Sequence, residues 1–117
     1  YKRQLSIQLK MGLQGVTEHR RLWVAYEPVW AIGVNGIPAA EEYVNERHRR
    51  LKRVLEELFG REKASVIPVL YGGSVNPGNA VPLISQPWVD GLFIGRSAWK
   101  AESFNRLIRM VLQSRTE

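Results

Sequence analysis

No cysteine occurs among the 117 residues, which excludes disulfides and thiolate metal sites and is compatible with a reducing compartment. No apolar run approaches the roughly 20 residues a membrane-spanning helix needs, and residues 1–10 lack the apolar middle of a secretory signal. A cytoplasmic protein with no membrane partner is expected. The sequence also has no P-loop, dinucleotide fingerprint or zinc-protease motif. Its two histidines, His19 and His48, have no metal-ligand neighbours, so no metal site is expected and both are read as exposed and without chemistry. Trp23, Trp88 and Trp99 are assigned to packing, and Trp30 equally to packing or to a loop role. What remains is a hydrophobic share of 44% and a charged share of 24%, the balance of a soluble globular chain with one modest core.

The formal net charge of +6 raises the question of anionic partners. The densest basic run, "RHRRLKR" at residues 47–53, lies in a helical pattern with glutamates on both sides. Glu46 stands four positions before Arg50, the favourable order for an ion pair, and no aromatic residues are interleaved. A solvated helix face is therefore favoured over a nucleic-acid surface. The nucleic-acid reading predicts salt-dependent retention on DNA, and its absence removes that reading. Phosphate-bearing small molecules remain suitable partners.

Along the chain, apolar residues at three- and four-residue steps predict an amphipathic helix over residues 4–16. "LWVAY" at 22–26 is a continuous apolar run and predicts a strand buried on both faces. A second helix is expected after Pro38, with Val44, Leu51, Leu55 and Leu58 on one face and Gly60 as its stop. Residues 65–71 predict a second buried strand, weakened by Pro68. A short helix at 80–84, a strand at 91–95 and a last helix carrying Phe104, Leu107, Ile108, Val111 and Leu112 complete the order. Strands alternating with helices imply a parallel sheet with helices outside it. Three strands are few for such a sheet, so either another chain completes it or the sequence is part of a longer one.

Binding crevices in parallel α/β sheets lie at the carboxyl ends of the strands. Three unusual segments fall there: "EPVWAIG", "GGSV", and Gly95 with Arg96. Gly72, Gly73 and Gly95 permit close backbone approach to a ligand, and free amides at the following helix starts favour an anion. Together they describe a phosphate cradle with one carboxylate, Glu27, beside it. A turn-capping surface role for Glu27 is disfavoured by its place between an apolar strand and a proline. Taken alone, Gly72 and Gly73 fit an ordinary turn as well.

"AYEPVWAIG", "YGGSV" and "DGLFIGRSA" resemble three consecutive segments of the carboxyl-terminal half of the triosephosphate isomerase family, in its order and near its spacing. The resemblance runs from Gln4 to Leu112. It implies an α/β fold, the C-terminal part of a TIM (β/α)8 barrel with three parallel strands alternating with helices, residues 1–117 forming one partial domain without its amino-terminal half. It implies an isomerase of carbohydrate metabolism, glycolysis and gluconeogenesis included, with no cofactor and no nucleic acid, and with a sugar phosphate as its small-molecule partner. Glu27 matches the family's catalytic base, which moves a proton between adjacent carbons through an enediolate, and a carboxylate does this well when closure strips water from it. Pro28, Val29, Trp30, Ala31, Ile32 and Gly36 match the mobile lid, and Tyr71 and Ser74 match residues that hold it closed. The amides of Gly33, Ser74, Gly95 and Arg96 match the phosphate site.

Two departures qualify the resemblance. The family's lysine and its neutral, helix-start histidine have no counterpart here, so the chain alone is expected to be inactive. The family's paired glycines at the phosphate are Gly95 and Arg96, and a side chain at Arg96 in glycine-only geometry would be strained. The arginine can instead reach an oxygen of a longer sugar phosphate. With the altered far hinge "VNGIPAA", this pattern is similar to family members that act on four-carbon erythrulose phosphates. A homo-oligomer is expected, and the competing account is a non-enzymatic half-barrel that binds anions or self-associates through exposed strand edges.

Overall fold

The computed structural model describes residues 2–28, 30 and 39–116. Helix α1, Lys2–Gly12, turns through Gly15 at φ 80° into strand β1, Val24–Tyr26. Helix α2, Glu41–Phe59, is followed by the short α3, Arg61–Ser65, then by strand β2, Val69–Tyr71. Helix α4, Ala80–Ile84, precedes strand β3, Gly91–Leu92, and a 3-10 turn, Arg96–Ala98, leads into α5, Ala101–Thr116. The strands form one parallel sheet in the order β1-β2-β3, with Ala25 opposite Leu70 and Leu70 opposite Gly91. The expected alternation of helices and strands is present, with α3 added and the strands shortened.

The shortening has local causes. Residues 65–71 do not form one strand because Ser65 ends α3, and Pro68 has no amide to donate. Its carbonyl still serves, accepting Val24 N at 2.9 Å. Gly60, at φ 89°, ends α2 as its position suggests, and its amide returns to Glu56 O at 2.8 Å. Glu41 and Glu42 in the first turn of α2 complement the helix dipole, although Ala40 offers no side-chain cap.

One side of the sheet meets the helices. Tyr26, Val69 and Tyr71 point to that side and are buried with Val44, Leu51, Leu55, Ile67, Leu83 and Leu107. Side-chain alternation sends Ala25, Leu70 and Gly91 to the other side. That side is uncovered among the described residues: Ala25 is exposed, Trp23 is 69% exposed and Phe93 is 55% exposed. Of the two strand faces expected to be buried, the helices of this chain cover one. Trp23, assigned to packing, lies on the open face, and Trp99, assigned likewise, is 78% exposed, so neither is packed within the described residues. On the helices, Leu58, Phe104, Ile108 and Leu112 stay open to solvent, while Leu107 is buried.

The basic run of α2 is divided by helical geometry. Arg49, Arg50 and Arg53 are exposed, and Glu46 pairs with Arg49 at 3.3 Å. His48 and Lys52 lie four apart on the core face with Val44 and Leu55, so the expectation of an exposed His48 is wrong. His48 is fully buried, with Nδ1 3.2 Å from Trp88 O. Lys52 Nζ donates to the carbonyls of Ala64 and Ile67 and lies 3.5 Å from Asp90 Oδ2, which also accepts Val69 N at 2.8 Å. This cluster ties α2 to the beginnings of β2 and β3, at the end of the sheet away from the crevice. Its lysine is satisfied at a buried position where an unpaired cation would be costly.

Candidate active site

The three segments that follow the strands meet in one open cleft of about 720 Å³ at the carboxyl edge of the sheet. Glu27 enters from β1, Gly72 to Asn76 from β2, and Phe93 with residues 95–97 and Trp99 from β3. Within this lining Glu27 carries the negative charge and Arg96 the positive one.

Glu27 owes its place to the end of the ladder. Gly72 N donates to Tyr26 O at 2.8 Å, which draws the Gly72 backbone alongside the exposed Glu27 side chain. A Cβ on Gly72 would lie 2.7 Å from Glu27 Cγ and 3.1 Å from its Oε1. The missing side chain at Gly72 thus makes room for the carboxylate, where close approach to a ligand was expected. At Gly73 a Cβ would overlap the phenol of Tyr71, whose hydroxyl folds back over that glycine. Gly95 has open space where its Cβ would be. Arg96 opens the 3-10 turn, and no non-glycine residue among those described has positive φ, so the strain expected at Arg96 is absent.

Tyr71 is fully buried, and burial raises the pKa of its phenol while the Ala39 backbone acts in the opposite direction. It packs against Tyr26 and His48, with ring centroids 6.4 Å apart in each pair. Pro28 is also buried. Trp30 is 43% exposed and meets Tyr43 edge-on at 5.6 Å, and the Arg47 guanidinium lies 4.5 Å from the centre of the Tyr43 ring. Val29, Ala31, Ile32, Gly33 and Gly36 lie outside the described residues.

The loop after β2 is held by its own asparagines. Asn76 Oδ1 accepts Gly78 N at 2.8 Å and Asn79 N at 3.2 Å, while Asn79 Oδ1 accepts Asn76 N at 2.8 Å. Asn79 Nδ2 then donates to Ser74 O at 2.8 Å. Ser97 Oγ, from the loop after β3, donates to Val75 O at 3.0 Å. Glu27, Ser74, Gly95 and Arg96 are therefore brought to one cleft, with Tyr71 beneath it. Phe93, Asn76, Ser97 and Trp99 were not anticipated there. Phe93 was within reach of the sequence, since it stands two positions before Gly95 on the same strand path. Neither histidine lines the cleft, and among the described residues no three His, Cys, Asp or Glu residues are grouped to hold a metal.

A parallel α/β sheet with a charged crevice at its carboxyl edge is the arrangement of a (β/α)-barrel segment. The chain belongs to the triosephosphate isomerase family, whose model matches residues 1–111. It is 53% identical over 110 residues to an L-erythrulose-1-phosphate isomerase of Rhizobium etli, covering 92% of this chain and 40% of that protein. Proteins with the same name from Rhizobium meliloti and Mesorhizobium japonicum are 49% identical over 102 residues and 50% identical over 103 residues. These matches cover 87% of this chain and 38% of the first protein, and 86% of this chain and 39% of the second. The chain thus spans about 40% of the length of the curated relatives it matches. No helix among the described residues is long and apolar enough to cross a membrane.

Proposed function

We propose that the full-length protein carrying this chain is a phosphosugar isomerase, and that its substrate is a four-carbon tetrulose phosphate. The observation that carries the reading is the placing of Glu27 and Arg96 in one cleft lined by the loops after β2 and β3. In this reading Glu27 removes a proton from the carbon beside the carbonyl and returns it to the neighbouring carbon. The amides of Gly33, Ser74, Gly95 and Arg96 hold the phosphate. Residues 28–36 form the lid, held closed through Tyr71 and Ser74, and protect the enediolate from losing its phosphate. A lysine and a neutral histidine outside these 117 residues supply the electrophilic half of the chemistry. The reaction requires no cofactor.

The choice of a tetrulose over the triose of glycolysis and gluconeogenesis is supported by the relatives' name and by Arg96, whose guanidinium offers donors beyond the reach of a backbone amide. Steady-state rates of the full-length protein on triose and tetrulose phosphates test both levels. A higher kcat/KM on tetrulose phosphate is expected. Preference for the triose removes the substrate assignment, and turnover of neither removes the isomerase reading.

A cytoplasmic, homo-oligomeric protein belongs to the same reading, its location supported by the cysteine-free composition; the sheet face open in this chain is apolar. That face also favours a second reading of the chain by itself, as a half-barrel that self-associates through Trp23, Leu70 and Phe93. Light scattering on the isolated 117-residue chain is then expected to show a dimer or larger species. A folded monomer sinks this account.

A further inference from the structure

We infer that Ser97 is a positioning residue of the anion cradle, fixing the spacing between its two loops. The inference rests on the phosphate-site reading above. Hydrogen bonding between adjacent strands follows the sheet only as far as Phe93 N to Tyr71 O, at 2.7 Å. Beyond it the chains leave β2 and β3 as loops, with open space where a side chain at Gly95 would stand. The 3-10 turn is closed by Ala98 N to Gly95 O and Trp99 N to Arg96 O, at 2.9 and 3.1 Å. That turn presents the Ser97 hydroxyl to Val75 O at 3.0 Å, across a sequence separation of 22.

Val75 is a firm anchor. The residue is 7% exposed, and the neighbouring Ser74 carbonyl is held by Asn79. Ser97 therefore ties the half of the cradle at Gly95 and Arg96 to the half already fastened at Ser74. An anion bound between amides from both loops needs that distance set beforehand, because ordering a loop on binding subtracts from affinity. A threonine keeps the hydroxyl donor, and an alanine removes it and leaves Val75 O without this partner.

The test uses the full-length protein and two readouts: calorimetric titration with inorganic phosphate, and steady-state kinetics on the sugar phosphate it turns over. Ser97→Ala is expected to raise the phosphate Kd and the KM by about five-fold, the worth of one ordinary hydrogen bond, with a much smaller change in kcat. Ser97→Thr is expected to restore both constants to near wild type. Unchanged phosphate affinity in Ser97→Ala overturns the inference, as does a fall in kcat at constant KM or equal behaviour of the two variants. If wild type binds phosphate, Ser97→Ala weakens it and no sugar phosphate is isomerised, the positioning role stands and the isomerase reading falls. If wild type binds no phosphate, the cradle and the role of Ser97 fall together.

Discussion

Gly72→Ala in the full-length protein is expected to lower kcat on its sugar phosphate by about 10²-fold, the order of loss produced by a displacement of roughly 1 Å at a reacting group. The cause is steric. The new methyl would stand 2.7 Å from Glu27 Cγ, a contact that neither atom can keep. The peptide of Gly72 is fixed by its bond to Tyr26 O, so the carboxylate is the group that gives way. Glu27→Gln sets the scale for this loss: removing a general base costs about 10²- to 10⁴-fold. Gly12→Ala is the control, since its added Cβ meets nothing within 4 Å. A Gly72→Ala protein with wild-type kcat would show that Glu27 does not rest on this glycine during turnover, and a fully active Glu27→Gln protein would remove it as the base.

Acid is expected to destabilise the fold through His48, between pH 6.5 and about 4. Burial holds the imidazole pKa down at about 4 from its ordinary 6.5, against the opposing pull of the Trp88 carbonyl and Asp90. Nε2 is buried without a hydrogen-bond partner among the described residues, so the fold favours the neutral ring. Above pH 6.5 both folded and unfolded chains carry it neutral, and its contribution is complete. As the pH falls below 6.5 the unfolded chain takes up a proton that the folded chain refuses. Stability declines until about pH 4, where the folded chain is protonated as well. The total is roughly 3 kcal/mol, from about 1.36 kcal/mol per pH unit. Urea unfolding of the full-length protein at half-unit pH steps, compared with His48→Gln, isolates this contribution. Equal pH slopes in the two proteins over that range would show that His48 is not the group responsible.

The two misread basic positions share one feature. His48 and Lys52 were taken as part of a solvated basic run because their neighbours in sequence are arginines. Their partners lie elsewhere: Trp88 O is 40 positions from His48, and Ile67 O is 15 from Lys52. A helix wheel puts both on the line of Val44 and Leu55, so the signal existed. It was outweighed by local charge, since a lone basic residue on an apolar face gives no hint of the carbonyls waiting for it. The tryptophans failed for the opposite reason. Trp23 and Trp99 are apolar enough for a core, but no described element lies over either of them.

By itself the sequence determined the alternation of helices and strands apart from α3, the parallel class of sheet, the C-terminal end of α2, and Glu27, Ser74, Gly95 and Arg96 as residues at the carboxyl edge. These follow from periodicity, glycine and proline chemistry, and strand-end position, all of which act over a few residues. Tertiary structure alone decided that Gly72 is vacant for Glu27 and Gly73 for Tyr71, and that Ser97 joins two loops. It also decided which two basic residues of α2 turn inward and which side of the sheet stays open. Each of these depends on the distance between atoms far apart in the chain, and that distance exists only once the strands have paired and the helices have packed.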